Sequence, residues 1–184
     1  MALLFVQQVS CIDQSCIAKS NEYVGSKRAP TQSDFDLLIQ DTINEEMKLH
    51  VISGCYNILG IMTSLQLTLK SQISEQVSLS YIGQRGMGDT CTSLELAYDE
   101  RITILEISYN GVTVEAGAAM TTKGQFQRWG DMTETVKQWI FTEKHELIGI
   151  FGTSADRGIS NLGVIVYKAG DCTNPVEEID LKDE

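Results

Sequence analysis

Leu147 to Tyr167, LIGIFGTSADRGISNLGVIVY, is the stretch whose reading decides the fold. Two apolar, β-branched runs, LIGIF and LGVIVY, flank a segment of small and polar residues. Runs this short, bounded by glycine and polar clusters, fit buried strands better than helices. The same signature recurs upstream. Strand patterns cover Lys48 to Ser53, Ile61 to Leu69, Gln76 to Tyr81, Ser93 to Tyr98, Ile102 to Tyr109, Val112 to Ala116 and Thr135 to Phe141. Between Ile61 and Leu69 the alternation is clean, with Ile61, Leu65, Leu67 and Leu69 on one face and Ser64, Gln66 and Thr68 on the other. Asn110-Gly111 suits a tight hairpin. Thr133 to Ile140 also fits a helical period, through Val136, Trp139 and Ile140. Many short strands with turn signals between them indicate an all-β sandwich, barrel or prism.

Outside these strands the chain changes character. Residues 1–30 carry little periodicity and read as an extended or disordered N-terminal arm. Ser33 is placed to cap a helix, with Phe35, Leu38, Ile39 and Ile43 at helical spacing, which predicts one short helix over 34–45. The expected domain is 31–168. Residues 169–184 form an acidic tail containing Glu177, Glu178, Asp180, Asp183 and Glu184.

With 184 residues the chain suffices for one domain with a working core. Its formal net charge of -11 repels phosphate backbones and anionic lipid surfaces, so nucleic acid is not an expected partner. No apolar run reaches the roughly 20 residues of a membrane span, so no membrane insertion is expected. MALLFVQQVS lacks the basic region of a signal peptide, which makes a cytoplasmic or other intracellular compartment the expectation. Cys11, Cys16, Cys55, Cys91 and Cys172 are odd in number and widely spaced, matching neither a disulfide framework nor a zinc signature. Cys11 and Cys16 are near enough to pair, but reduced thiols are the expected state. With His50 and His145 as the sole histidines, no His-rich metal site is expected, and no cofactor is implied.

Several segments, in order, resemble those of a jacalin-like domain, the β-prism lectin family. GIMTSLQLTL (Gly60 to Leu69) is similar to its early Gly-Ile-x-Ser-Ile-Gln strand. YIGQRGMGD (Tyr81 to Asp89) is similar to its Gly-Gly-x-Gly-Gly loop. LELAYDERITILEISYNG (Leu94 to Gly111) resembles a Leu-rich strand running into Glu-Tyr-Ile-Thr, and TTKGQFQRWG (Thr121 to Gly130) resembles Thr-Asn-Lys followed by Gly-Pro-Tyr-Gly. LIGIFGTS and LGVIVY resemble the closing pair of strands. The resemblance spans Met47 to Tyr167 and implies a β-prism of three Greek-key sheets.

It also implies where a sugar would sit. The family's pocket uses a Gly-x-x-x-Asp motif between the last two strands together with the early glycine-rich loop. Backbone N–H groups and one carboxylate there share a sugar's vicinal hydroxyls, and glycine lets the backbone approach. Aligned on Leu162-Gly163-Val164, this chain has Ser160 in the aspartate's place and Asp156 in the glycine's, in a loop one residue longer. A hydroxyl replaces a carboxylate able to accept two charge-assisted hydrogen bonds. The candidate ligand-binding residues are therefore Gly83, Gly86, Gly88, Trp129, Asp156, Ser160 and Asn161, with Asp156 or Asn161 as substitute acceptors and Trp129 as an exposed aromatic. Trp139 reads as core. Gly83 to Gly88 lacks the lysine and βαβ setting of a phosphate loop. Ser154, Ser160, Asp156 and His145 lack a nucleophile elbow, and Glu95, Asp99, Glu100 and Glu106 fall where charges face water, so no catalysis is expected. The altered pocket favours a non-enzymatic scaffold with protein partners in an assembly. The alternative is a carbohydrate-binding lectin that takes a mono- or oligosaccharide in a modified loop.

Overall fold

The computed structural model describes residues 16–20, 23–26, 32–33, 47–71, 76–79, 81–156 and 158–168. The expected helix at 34–45 and the tail beyond 168 lie outside these residues. Every regular element among them is a strand. They are β1 (Ile17–Lys19), β2 (Val24–Gly25), β3 (Gln32–Ser33), β4 (Lys48–Tyr56), β5 (Met62–Lys70), β6 (Gln76–Ser78) and β7 (Ile82–Gly83). There follow β8 (Thr90–Glu95), β9 (Ile102–Tyr109), β10 (Val114–Thr121), β11 (Phe126–Trp129), β12 (Val136–Ile140), β13 (His145–Ala155) and β14 (Gly158–Lys168). Thr133 to Ile140, which fits two periods, contributes a strand.

Three sheets enclose one core. The first runs β1-β14-β13-β3, with β2 also pairing β14. The second runs β11-β10-β9-β12, and the third β6-β5-β4-β8 with β7 on β5. Each described pairing is antiparallel. The inward positions of each sheet supply the core. Ile52, Leu65 and Leu67 come from the third, Leu105, Ile107 and Trp139 from the second, and Ile150, Leu162 and Val164 from the first. Short strands of this kind bury one face only when other sheets cover it, which the prism accomplishes from three sides.

Four sequence expectations need amendment. The described part of residues 1–30 is built into the first sheet. Ile17 pairs with Tyr167, and Val24 pairs with Leu162. Strands of two and three residues carry no periodicity, so they read as coil in sequence. Second, β13 and β14 run on through the polar segment between the two apolar runs, leaving only residues 156 and 157 between them. Their pairing slips by one residue at Ser160, a bulge that accounts for the extra residue in the alignment. Third, the expectation of reduced thiols fails, because Cys55 and Cys91 form a disulfide across directly opposed positions of β4 and β8. Cys16 is in a disulfide as well. The suggested pairing of Cys11 with it involves a residue outside those described. Fourth, Glu100 does not face water.

Glu100 is buried at the turn between β8 and β9. Burial pushes its carboxyl pKa up, but the Thr121 hydroxyl, the Ala97 amide, the Gln125 amide group and the Lys123 charge outweigh that and hold it below the ordinary glutamate value. Thr121 Oγ1 donates to Glu100 Oε1, Gln125 Nε2 reaches both carboxylate oxygens at 3.0 and 2.9 Å, and Ala97 N–H donates at 3.2 Å. A buried charge this fully hydrogen-bonded ties the β8–β9 turn to the β10–β11 turn.

Candidate functional site

At one end of the prism the loop after β7 meets the β13–β14 turn. Gly83 is the joint. Its φ of 101° lies in the left-handed region, and a Cβ there would run into the Thr63 carbonyl oxygen. Its N–H donates to Ser154 Oγ at 2.8 Å, and the same hydroxyl donates back to Gly83 O at 3.2 Å. Ser154 therefore fixes the glycine-rich loop to the last hairpin.

Downstream, the loop closes on Asp89. Its Oδ2 accepts the Thr63 hydroxyl at 2.6 Å and the Gly86 N–H at 2.7 Å. No described residue bonds Oδ1, which stays available as an acceptor. Between this loop and the hairpin turn lies a cleft of about 270 Å³, lined by Asn57, Thr63, Gln84, Arg85, Gly86, Asp89 and Asp156. Such a volume sits at the small end of ligand pockets. The lining offers two carboxylates, a guanidinium and two side-chain amides, a mixture of donors and acceptors suited to a ligand rich in hydroxyls. Asn57 also shapes the neighbouring loop, where its Oδ1 accepts the N–H groups of Leu59 at 2.9 Å and Ile61 at 3.1 Å.

The structure thus brings together Gly86 and Asp156 from the candidate residues, with Gly83 as the pivot beneath them. Gly88 is exposed at the tip of the same loop, at φ 93°. Neither Ser160 nor Asn161 is among the residues lining the cleft. The Ser160 carbonyl accepts the Ser26 N–H at 2.8 Å, and Asn161, 0% exposed, donates its Nδ2 to Ser26 O at 3.3 Å. Trp129 is likewise not the exposed aromatic expected. It is 0% exposed, and its indole N–H donates to Thr92 O at 2.9 Å, so an edge strand of the second sheet is anchored on the third. Trp139 is buried as expected.

Of the cleft-lining residues, Asn57, Thr63, Gln84, Arg85 and Asp89 were not among the candidates, nor was Ser154 beside them. Asp89 was visible at the end of YIGQRGMGD, three residues after Gly86, a spacing at which an aspartate caps its own turn. Ser154 carried no local signal, since its role depends on a partner 71 positions away. Among the described residues no cluster of His, Cys, Asp and Glu has the geometry to hold a metal ion, and no helix is long and apolar enough to cross a membrane.

Comparison with known proteins agrees with this architecture. Single-chain recombinant jacalin superposes with a TM-score of 0.63 at 16% identity, over 86% of this chain and 97% of its own. Frutapin, a lectin from Artocarpus incisa, gives 0.60 at 15%, over 79% and 94%. A mannose-specific jacalin-related lectin from Morus nigra, solved in complex with mannose, gives 0.61 at 9%, over 79% and 92%. At these identities the likeness is one of fold. No curated protein sequence matches the chain significantly. The family model described as the jacalin-like lectin domain matches residues 22–165, most of the chain and nearly all of the three-sheet prism, and the protein therefore belongs to the jacalin-like lectin domain family.

Proposed function

We propose that this chain is a non-catalytic carbohydrate-binding protein whose sugar site is the cleft between the 84–89 loop and the β13–β14 turn. The observation that carries the reading is Asp89, which lines the cleft with Asp156 and Arg85 and is held by Thr63 and Gly86 through one carboxylate oxygen, while no described residue bonds the other. A fixed carboxylate with an open oxygen accepts two hydroxyls of a ring without a conformational cost at binding. This supplies from the earlier loop the acceptor that Ser160 does not provide. The mannose bound by the Morus nigra neighbour suggests the first ligands to try.

The test is titration of the full chain with mannose and galactose, followed by heteronuclear NMR. Saturable shifts in residues 84–89 and at Asp156 are expected, with affinity weakened about tenfold or more in Asp156→Ala, the loss of one charge-assisted contact. An absence of shifts for both sugars at tens of millimolar would remove the reading.

A scaffold role stands second, supported by one feature. On the outer face of the second sheet the register aligns Phe126, Met120, Ile104 and Ile140 in a single apolar row across four strands. Phe126 is 59% exposed and Met120 40%. Solvent-exposed rows of this kind suit contact with another protein surface. Sedimentation of the wild type as more than a 20.4 kDa monomer, reversed by Met120→Glu, is what that reading requires.

A further inference from the structure

The opposite end of the prism holds a larger cavity, about 940 Å³, lined by the start of β4, the end of β5 and the segment after β8. It shares no lining residue with the cleft above. Three features make it a site rather than a gap between strand ends.

First, Lys48 and Lys70 are directly opposed on adjacent strands, and both are half-buried. Side chains of an opposed pair lie within roughly 5 Å at Cβ, so two ammonium groups there repel. The nearby Glu95 carboxylate is turned to His50, with 3.4 Å between Oε1 and Nε2. No ion pair is formed by Lys48 or Lys70 among the described residues. In a chain of net charge -11, two directly opposed lysines with no carboxylate paired to either among the described residues are conspicuous.

Second, β4 carries a bulge at His50, where the pairing with β5 slips between Leu49 and Val51. A bulge re-aims the extra side chain, and His50 accordingly lines the cavity beside Lys48. His50 Nδ1 is bonded to Leu96 O at 2.9 Å, which fixes the ring.

Third, the wall is not wholly polar. Leu49, Leu96 and Tyr98 line it, and the Lys48 ammonium sits 5.5 Å from the Tyr98 ring centroid. Tyr98 so holds Lys48 in place by a cation–π contact and still offers exposed ring surface to a ligand.

We infer that this cavity is a second binding site, specific for a small ligand that joins a carboxylate to a ring with an apolar face, as a uronate sugar does. The carboxylate bridges Lys48 and Lys70 and relieves their repulsion. The ring face lies against Tyr98 and Leu49, and the ring hydroxyls reach Ser71 and Glu95.

The experiment is NMR titration of the full chain with D-glucuronate, D-glucose and acetate, in wild type and Lys70→Gln, with thermal melting of both to confirm equal folding. Glucuronate is expected to shift Lys48, Lys70, Leu96 and Tyr98 resonances, and to bind about tenfold more weakly to Lys70→Gln. Glucose, which keeps the ring and lacks the charge, is expected to leave these resonances unmoved, and acetate to bind more weakly than glucuronate. Asp156→Ala separates the two sites, since it weakens binding at the cleft and leaves glucuronate affinity at this end unchanged. The inference is overturned by glucuronate shifts confined to residues 84–89, by no shifts up to roughly 20 mM, by equal shifts with glucose, by acetate matching glucuronate, or by unaltered affinity in Lys70→Gln.

Discussion

Removing the Cys55–Cys91 bridge by the double substitution Cys55→Ala and Cys91→Ala tests how the cleft is held in shape. The two cysteines are 36 positions apart, and that segment contains Asn57, Thr63, Gln84, Arg85, Gly86 and Asp89, six of the seven residues around the cleft. Closing a loop of that length removes unfolded-chain entropy equivalent to about 4 kcal/mol at 25 °C. Alanine at the exposed Cys91 adds little to this, and alanine at the buried Cys55 removes a single sulfur from the core. For a chain of this size about 4 kcal/mol corresponds to a melting-point drop of roughly 8–16 °C. Urea denaturation of wild type and double variant, both without reductant, measures the difference directly. The slope should rise slightly as the unbridged chain expands, and the midpoint should fall. A stability change under about 0.5 kcal/mol would refute the loop-closure reasoning. Titration of all five cysteines as free thiols in the unfolded, unreduced wild type would remove its premise.

Two further outcomes follow from single residues. Because the Glu100 pKa is held below its unfolded value, its contribution to stability is fully present above that unfolded value and is lost as pH falls through the folded one. Glu100→Gln should therefore cost about 1–3 kcal/mol at neutral pH, and its urea midpoint should fall less steeply than wild type's between pH 5 and 3, roughly the range over which glutamates protonate. Gly83→Ala places a side chain at φ 101° against the Thr63 carbonyl. A loss of about 1–3 kcal/mol in thermal melting is expected, together with weakened sugar binding. A Gly83→Ala protein that melts and binds as wild type would show that the loop reshapes freely.

The long strands were legible because each obeys a rule confined to its own residues. Ile61 to Leu69 alternates, LIGIF and LGVIVY are continuous apolar runs, and Asn110-Gly111 marks a turn. What was not legible depends on distant partners. β1 and β2 are too short for any period and exist as strands only because β14 supplies their hydrogen bonds. Cys55 and Cys91 become neighbours only once β4 and β8 are in register. Trp129 reads as a turn aromatic until the third sheet is placed beneath it. At the site, the glycine-rich loop and Asp156 could be found from the family pattern, whereas Ser160 could not be understood from it. The pattern assigns Ser160 to a pocket, while the bulge turns its backbone toward Ser26.

The pairing of β1 with β14 has a kinetic side. Residue 17 finds its place against residue 167, so the first strand among the described residues is completed by the last of them. During synthesis β1 is made long before the β14 strand it joins, whereas β4 and β5, and β9 and β10, pair as neighbours in sequence. Closing the first sheet bridges a long stretch of chain, a non-local pairing of the kind that slows folding. A chain halted before β14 would expose the inner faces of the other two sheets, which makes the closing strand a safeguard against aggregation as well as a wall of the prism.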